Sequence, residues 1–255
     1  MRALFLQSGS NGNCAYVEAG GLGLLFDAGI SGVRAERRLA EHGVEIRDAH
    51  ALLISHEHGD HVRCAGVLHR KFGCALHITS PTLEAAGRRY DLGRIRPPER
   101  FDSGDRLRFR DVLVETIPTP HDGRDGVAFV VEHRGRRLGI LTDLGHPFDG
   151  LADLIRSCDG VLLESNHDSE MLKNGPYPPR LEARISGPGG HLSNREAASL
   201  LASAGERLRW ACLAHLSEEN NTPATALATC REAVGRRLEL HVAGRYGPSA
   251  VLELS

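Results

Sequence analysis

The stretch ALLISHEHGDH, residues 51–61, constrains the fold of this chain more than any other part of the sequence. Its first five residues are typical of a buried β-strand, and residues 56–61 then contain three histidines and two carboxylates. Such a cluster costs desolvation and mutual repulsion unless a cation lies among the side chains. The sequence therefore predicts a metal site at the end of a strand.

The spacing of these residues favours two cations over one. His56 and His58 are two positions apart, so on an extended chain their side chains point the same way. Gly59 allows a turn, after which Asp60 and His61 can face a second ion from another side. Two cations bridged by hydroxide lie about 3.5–4 Å apart in such sites. A zincin helix is excluded, because HExxH requires histidine where Asp60 stands.

Three more residues with metal-binding side chains lie at or beside the ends of predicted strands. They are His121 after ETIPTP, Asp143 at the end of LGILTD and His215 after RWACLA. Alone, each is more typical of a cap or a turn. Together with HEHGDH, they predict the additional ligands that a two-metal site needs.

Composition and charge are those of an ordinary soluble globular protein. Hydrophobic residues make up 41% and charged residues 25%, and no apolar run approaches the roughly 18 residues of a membrane helix. MRALFLQSGS lacks the apolar core of a secretory signal, and the six cysteines contain no CxxC pair. We therefore expect a cytoplasmic protein with reduced cysteines and no membrane partner.

The pattern of elements predicts one α/β domain over residues 1–255. Short strands with tight turns fill the first half, and strands alternate with helices in the second half, including a capped helix over 193–205 and another over 222–235. The net charge of −2 gives no global signal for nucleic acid. Arginines crowd locally in GRRYDLGRIRPPER (87–100), either as a solvated surface or as a rim that follows phosphates.

The order HxHxDH, then a lone histidine, then Asp after a strand, then His after a later strand resembles the metallo-β-lactamase superfamily. LLFDAG is similar to an early strand of that superfamily whose aspartate, here Asp27, supports the metal loop. The resemblance covers residues 4 to about 234. It implies an αββα four-layer sandwich with the metals at the sheet edges.

The resemblance also implies roles for the site residues. One metal would be held by His56, His58 and His121, the other by Asp60, His61 and His215, with Asp143 bridging both. Asp122 is a candidate for orienting the ring of His121. His191, in GHLSN, is similar to the histidine that phosphodiesterases of the superfamily place against the scissile phosphate; the alternative is a structural histidine before a helix. Ligand chemistry admits Zn²⁺, Mn²⁺ or Fe.

Six further motifs resemble the YycJ- or WalJ-type subfamily: SGSNGNC, SHEHGDH, TDLG, ESNHD, GHLSN and AHLSEENNTP. Members of that group are regarded as 5′→3′ exonucleases on duplex DNA. The resemblance therefore implies DNA as substrate and attack at phosphorus by a metal-bridging hydroxide held by Asp60, with His191 as oxyanion stabiliser or general acid. Candidate substrate contacts lie in two loops, and these are Ser8, Ser10, Asn11, Asn13, Ser193 and Asn194.

Other functions are weighed against this one. The interval from Asp143 to His215 is filled by predicted strands and helices, which leaves no room for the β-CASP insert of RNA-processing relatives and disfavours them. The main alternative is a hydrolase of a small phosphodiester, such as a cyclic nucleotide. A thioester or lactone hydrolase and a catalytically silent binding module are less favoured. A homodimer or the arginines of 87–100 would supply a surface for DNA.

Overall fold

Fourteen strands form two sheets of seven. The computed structural model describes all residues, 1–255. The first sheet has the order β14-β1-β2-β3-β4-β5-β6. Its strands are β1 Arg2–Gln7, β2 Cys14–Ala19, β3 Leu22–Phe26, β4 Ala49–Leu53, β5 Ala75–Thr79, β6 Glu99–Phe101 and β14 Leu252–Glu253. β1 to β3 are antiparallel neighbours, and β3 to β6 run parallel.

The second sheet has the order β13-β12-β11-β10-β9-β8-β7. Its strands are β7 Arg106–Phe109, β8 Val112–Pro118, β9 Val127–His133, β10 Arg136–Leu141, β11 Gly160–Glu164, β12 Trp210–Ala214 and β13 Glu239–Val242. β7 to β10 are antiparallel, and β10 to β13 are parallel. Near-continuous apolar strands such as β11 and β12 are buried on both faces, as parallel strands covered by helices must be.

The helices cover the outer faces of the two sheets. They are α1 Gly32–Ala40, α2 Gly59–Val62, α3 Ala65–Phe72, α4 Ser80–Arg89, α5 Leu151–Arg156, α6 Ser169–Asn174, α7 Pro179–Ile185, α8 Asn194–Ala202 and α9 Pro223–Val234. A cluster of 22 buried residues lies between the first sheet and its helices, and a cluster of 23 lies on the outer side of the second sheet. None of these helices combines the length and the hydropathy needed to cross a bilayer.

The central core lies between the two sheets. It contains 25 buried residues from both sheets, and Phe26 meets Phe129 across the interface with ring centroids 5.1 Å apart. Two sheets packed face to face and flanked by helices on each side form four layers. The predicted αββα sandwich in a single domain is therefore confirmed.

Most predicted elements appear close to their expected bounds, with informative exceptions. Helices α2 and α3 are separate, because the backbone N–H of Cys64 donates to the carbonyl of Ala28 at 2.9 Å instead of continuing a helix. The arginine-rich stretch 87–100 begins on α4 and continues as a loop into β6. The sequence did not predict the short strands β6, β7 and β14 or the helices α4 to α7, whose apolar patterns are weak or span few positions.

Candidate metal centre

Buried polar residues follow directly after five strands at one end of the sandwich. β3, β4, β10, β11 and β12 end just before or at these residues, so the loops that follow them meet at one edge. The residues at this edge are Asp27, His56, Asp143, Glu164 and His215, and each is at most 5% exposed. Buried groups of this kind require partners, and the partners here are each other.

The backbone at this edge is strained. Asp27, Asp143 and His215 have φ values of 62°, 56° and 55°, in the left-handed region that residues with a Cβ rarely adopt. Each such conformation costs about 1–3 kcal/mol and persists where the surroundings hold it. In all three cases the strand has just ended, and the turn directs a ligand-type side chain into the shared site.

The HEHGDH stretch places its side chains as its spacing predicts. His56 Nε2 lies 3.0 Å from His58 Nδ1, and the two rings are nearly perpendicular. Asp60 and His61 lie on the short helix α2, with Asp60 Oδ2 3.5 Å from His61 Nε2. A Cβ on Gly59 would stand 2.8 Å from the Tyr90 hydroxyl, so a larger residue at this turn would displace Tyr90.

His121 completes a first group of three imidazoles. Ligand atoms of His56, His58 and His121 all lie within 4.8 Å of one another. His121 Nε2 is 3.2 Å from His58 Nδ1, and His121 Nδ1 is 2.8 Å from the carbonyl oxygen of Gly190. A carbonyl can only accept, so the proton of His121 belongs on Nδ1 and the lone pair of Nε2 faces the group.

A second group lies beside the first. Ligand atoms of Asp60, His61 and His215 also lie within 4.8 Å of one another, and His215 Nε2 is 3.4 Å from Asp60 Oδ2. Asp143 stands between the two groups: its carboxylate is 3.2 Å from His61 Nε2 and 3.6 Å from His121 Nε2. The structure thus brings together all seven residues predicted as ligands.

The donor set fits divalent cations. Asp143 is 4% exposed, yet its Oδ2 is buried without a hydrogen bond, and imidazole nitrogens face one another at 3.0–3.2 Å. Such contacts are unfavourable unless a proton or a metal ion is shared between them. Imidazole with carboxylate is a ligand set for Zn²⁺, Mn²⁺ and Fe alike. The His/Asp clusters are therefore suited to divalent metal.

Electrostatics divide the histidines into two types. Burial and the neighbouring imidazoles, with His61 foremost, lower the pKa of His56 well below its usual value, so this ring is neutral. Burial also opposes charge on His215, but Asp143, Asp60 and Glu164 outweigh it and raise its pKa to about 10. For the metal-free chain, protons on such rings supply the positive charge that the carboxylates require.

The pKa values of the site carboxylates are lowered. Burial would raise the pKa values of Asp60 and Asp143, but His61 and His215 outweigh it and hold both well below the usual range. Both groups are therefore ionised at neutral pH. Cations and protons compete for the same lone pairs.

Asp27 supports the metal loop as the sequence indicated. Its Oδ2 is 2.7 Å from His61 Nδ1, and its Oδ1 accepts hydrogen bonds from the backbone N–H and the hydroxyl of Ser55, both at 2.8 Å. These contacts fix the His61 ring so that Nε2 faces Asp60 and Asp143. The loop packs tightly here: a Cβ on Gly29 would stand 1.7 Å from the carbonyl oxygen of Asp60.

Asp122 lies at the edge of two imidazoles of the first group. Its Oδ1 is 3.5 Å from His58 Nε2 and 3.6 Å from His121 Nε2, and its carboxylate accepts two hydrogen bonds from Arg184, at 2.7 and 3.1 Å. The Nδ1 side of the His121 ring is occupied by the Gly190 carbonyl. A role for Asp122 in orienting His121 therefore stays a prediction.

Glu164 is the important residue that sequence reasoning missed. It ends β11 with no exposed surface, and its Oε1 is 2.6 Å from His191 Nδ1. Its Oε2 accepts from the backbone N–H groups of Leu144 and Leu192. Burial would raise the pKa of Glu164, but His191 leads the contacts that lower it to about 2. An acidic residue closing an apolar strand, inside the motif ESNHD, is the signal that marked it.

The loop 8–13 joins β1 to β2 and divides into two parts. Ser8 and Asn13 are buried and hold metal-site residues: the Ser8 hydroxyl accepts from the backbone N–H of His215 at 2.9 Å, and Asn13 Nδ2 is 2.9 Å from His61 Nε2. Ser10 is exposed and Asn11 is half-buried, so both remain accessible at the rim.

The second loop predicted to contact substrate has a largely structural role. Ser193 caps α8 in a capping box with Glu196. Asn194 has no exposed surface, and its amide is shared between Ser165 and Asn221 at 2.6–2.9 Å. Asn194 thus holds three loops together and is closed off from substrate, whereas Ser193 still borders a pocket beside His191.

Known proteins are similar to this chain in sequence and in fold. The family model described as the metallo-beta-lactamase superfamily matches residues 8–204. The chain is 37% identical over 219 residues to exodeoxyribonuclease WalJ of Streptococcus pneumoniae, covering 85% of this chain and 81% of WalJ. It is 32% identical over 246 residues to exodeoxyribonuclease YycJ of Bacillus anthracis, covering 92% of each.

The fold is also that of a solved structure, the metallo-beta-lactamase fold protein YhfI of Bacillus subtilis. The TM-score is 0.75 over 99% of both chains, at 14% identity. This chain belongs to the metallo-beta-lactamase superfamily. Within it, the relatives confirm the predicted resemblance to the WalJ and YycJ type over most of the chain.

Proposed function

We propose that this chain is a metal-dependent exodeoxyribonuclease that removes nucleotides from the 5′ end of duplex DNA. Its relatives WalJ and YycJ are both named exodeoxyribonucleases. The observation that carries the proposal is the pair formed by His191 and Glu164 at the edge of the His/Asp clusters. A nuclease needs such a group to protonate the sugar oxygen that leaves phosphorus.

We assign two divalent cations to the site, Zn²⁺ or Mn²⁺, with Fe as a further choice. One would be held by His56, His58 and His121, and the other by Asp60, His61 and His215, with Asp143 shared. These three-residue groups lie side by side in the structure, and the unpaired Oδ2 of Asp143 supports its shared role. Bound together, such cations lower the pKa of a water molecule and neutralise charge on phosphate.

The chain's own residues position the reactants. Asp60 is held by Asn13 at 3.3 Å and by His215 at 3.4 Å, which directs its carboxylate towards the second group, where it can accept a hydrogen bond from the attacking water. Water attacks phosphorus opposite the leaving sugar oxygen. As the new P–O bond forms, the P–O bond to the sugar breaks.

His191 transfers a proton to the leaving group. Glu164 Oε1 accepts a hydrogen bond from His191 Nδ1 and fixes the orientation of the ring, so Nε2 is the nitrogen that can pass a proton to the departing sugar oxygen. The His191 side chain is 14% exposed and stacks near His215, with centroids 5.1 Å apart. It therefore borders both the clusters and the solvent from which DNA arrives.

Arginines near the metal loop and on the same side of the first sheet support a polymeric substrate. Arg89 lies 3.7 Å from Glu57, inside the HEHGDH stretch, and Tyr90 packs against Gly59. Arg94 and Arg96 line a separate polar depression with His69, Arg70 and Gly73, beside the start of β5. Phosphate contacts by such residues offset the net charge of −2 locally. A homodimer would extend this surface, and a DNA substrate agrees with the predicted cytoplasmic location.

The test uses metal-stripped protein given Zn²⁺ or Mn²⁺ separately, with duplex DNA labelled at one 5′ end. We expect metal-dependent release of mononucleotides from that end, lost in Asp60→Asn and retained in Asp153→Asn. Asp153 is an exposed aspartate on α5, bound only to Arg156, which makes it a matched control. An enzyme that cleaves bis-p-nitrophenyl phosphate but leaves DNA intact would instead act on a small phosphodiester.

A further inference from the structure

A polar pocket adjoins His191. It measures about 600 Å³ and is lined without a single hydrophobic residue. The groups that reach it include His146, His167, Ser169, Ser186, His191 and Arg195. Its size falls within the range of small-molecule sites, but its polar lining suits an ionic ligand.

His167 is the unexplained residue of this pocket. Its backbone is joined to the segment after His191, since the N–H of Asn194 donates to the His167 carbonyl at 2.8 Å. The residue is 3% exposed, and its buried Nδ1 makes no hydrogen bond. Nδ1 is closed off from the pocket, so Nε2 is the nitrogen of this ring that can meet a ligand there.

The environment of His167 defines what it offers. Burial lowers the pKa of this ring, so it is neutral. No acceptor lies within hydrogen-bonding distance of Nδ1, which favours the tautomer with the proton on Nε2. The ring then presents an N–H donor, which is suited to an oxygen of phosphate or sugar.

Arg195 adds a positive charge to the same wall. It is exposed at the first turn of α8 and forms no salt bridge within the chain. The neighbouring acid, Glu196, is occupied: its carboxylate accepts from the backbone and the hydroxyl of Ser193 at 2.8 and 2.7 Å. An unpaired guanidinium beside a neutral donor is an arrangement that binds phosphate.

We infer that this pocket binds the nucleotide unit next to the scissile bond. Arg195 binds the phosphate of that unit, and His167 donates a hydrogen bond from Nε2 to an oxygen of the same unit. This rests on the proposed nuclease function and deepens it, because it states where the adjoining nucleotide lies and which residues recognise it. Both residues act on substrate binding, and the chemistry remains with the neighbouring clusters and His191.

The test compares Arg195→Ala, Arg195→Lys and His167→Phe with Arg236→Ala. Arg236 is an exposed arginine that precedes β13, at the opposite end of the strands from the site. Steady-state rates are measured on duplex DNA and on bis-p-nitrophenyl phosphate, which has no adjoining nucleotide. We expect KM on DNA to rise about 10-fold in Arg195→Ala and His167→Phe, with kcat and the small substrate little changed, since only substrate binding is lost.

Binding to metal-free protein gives a second measurement, independent of turnover. The affinity for a labelled duplex is measured by fluorescence anisotropy across a salt series. Loss of one phosphate contact lowers the slope of log K against log salt by about 0.9, so Arg195→Ala should show this decrease while Arg195→Lys and Arg236→Ala keep the wild-type slope.

The outcomes separate the two proposals. A wild-type enzyme that releases nothing from DNA overturns the nuclease function and the pocket with it. An active wild type with unchanged KM and salt slope in Arg195→Ala overturns the pocket alone. An equal loss on DNA and on bis-p-nitrophenyl phosphate also overturns it, because the residues would then serve the chemistry. Arg195 is exposed, so this variant stays folded even where His167→Phe does not.

Discussion

Two buried aspartates lie at opposite ends of the strand pair β10 and β11. Asp159, 2% exposed, accepts hydrogen bonds from the backbone of Arg137 and the guanidinium groups of Arg136 and Arg207, at 2.9, 3.0 and 2.9 Å. Asp143, 4% exposed, faces imidazoles and keeps one oxygen unpaired. The chain neutralises the first carboxylate with arginines and a backbone N–H, whereas the second relies on protonated histidines, whose protons a cation can replace. The contrast separates a structural ion cluster from a functional one.

The largest effect should follow from Asp143→Ala. The shared carboxylate is lost, so we expect nuclease activity to fall about 10³-fold, comparable to removing a main electrostatic group from a reacting centre. The measurement is release of nucleotides from duplex DNA by metal-loaded protein. Asp159→Asn is the control variant and should keep its activity per folded molecule. Equal losses of activity in both variants would contradict the assignment of Asp143 as functional and Asp159 as structural.

Metal binding should raise the free energy of unfolding only where Asp143 is intact, and a change at Asp159 should not affect this gain. A cation at 100 times its dissociation constant adds about 2.7 kcal/mol to the free energy of unfolding. We expect this gain in the wild type and in Asp159→Asn, and its absence in Asp143→Ala. Thermal melts with and without Zn²⁺ or Mn²⁺ measure it, and a full gain in Asp143→Ala would remove that residue from the metal site.

In metal-free protein, the free energy of unfolding should depend on Asp159 and its arginine partners. Asp159→Asn leaves two guanidinium groups without their carboxylate, and because Arg136 and Arg207 are partly exposed we expect a loss of about 2 kcal/mol in the free energy of unfolding. Urea denaturation of metal-free protein measures it. Asp153→Asn, which breaks only an exposed pair on α5, should change stability by less than about 0.5 kcal/mol.

The smallest expected effect is the loss of the stability that Asp159 contributes when the pH is lowered. Burial opposes the charge of Asp159, but the Arg137 N–H and the two guanidinium groups outweigh it and lower its pKa. Its stabilising contribution is therefore complete above the unfolded value of about 3.9 and is lost as pH falls through the folded value. The stability gap between wild type and Asp159→Asn should therefore narrow as pH falls below about 4. A constant gap in melts from pH 5 to pH 2.5 would contradict this.

Sequence reasoning reached the ligands because their signal is local or lies at strand ends. HEHGDH follows a strand, and His121, Asp143 and His215 are each placed by a strand that a short apolar pattern reveals. The same patterns predict most strands and helices of an α/β domain, whereas the resemblance to the superfamily implied their arrangement as two sheets between helices. The predicted roles of His56 and His58 as neighbours depended only on the alternation of side chains along an extended chain.

The rest depends on contacts between distant segments. The link between Glu164 and His191 joins residues that are 27 positions apart, and nothing in either motif specifies that one side chain faces the other. The contact between His121 Nδ1 and the Gly190 carbonyl likewise joins residues that are 69 positions apart. Whether a loop asparagine points to solvent or inward, as Asn194 does, is decided by packing and leaves no periodic pattern.

The placement of the ligands also limits how the protein can be assembled. The two imidazole-rich groups draw on the loop that follows β4 of one sheet and on the loops that follow β8 and β12 of the other, so neither half of the sandwich contains a complete set. Contacts this distant in sequence form late, after the entropy of closing long loops has been overcome. The cation therefore cannot nucleate folding, and tight metal binding reports that both sheets have already docked.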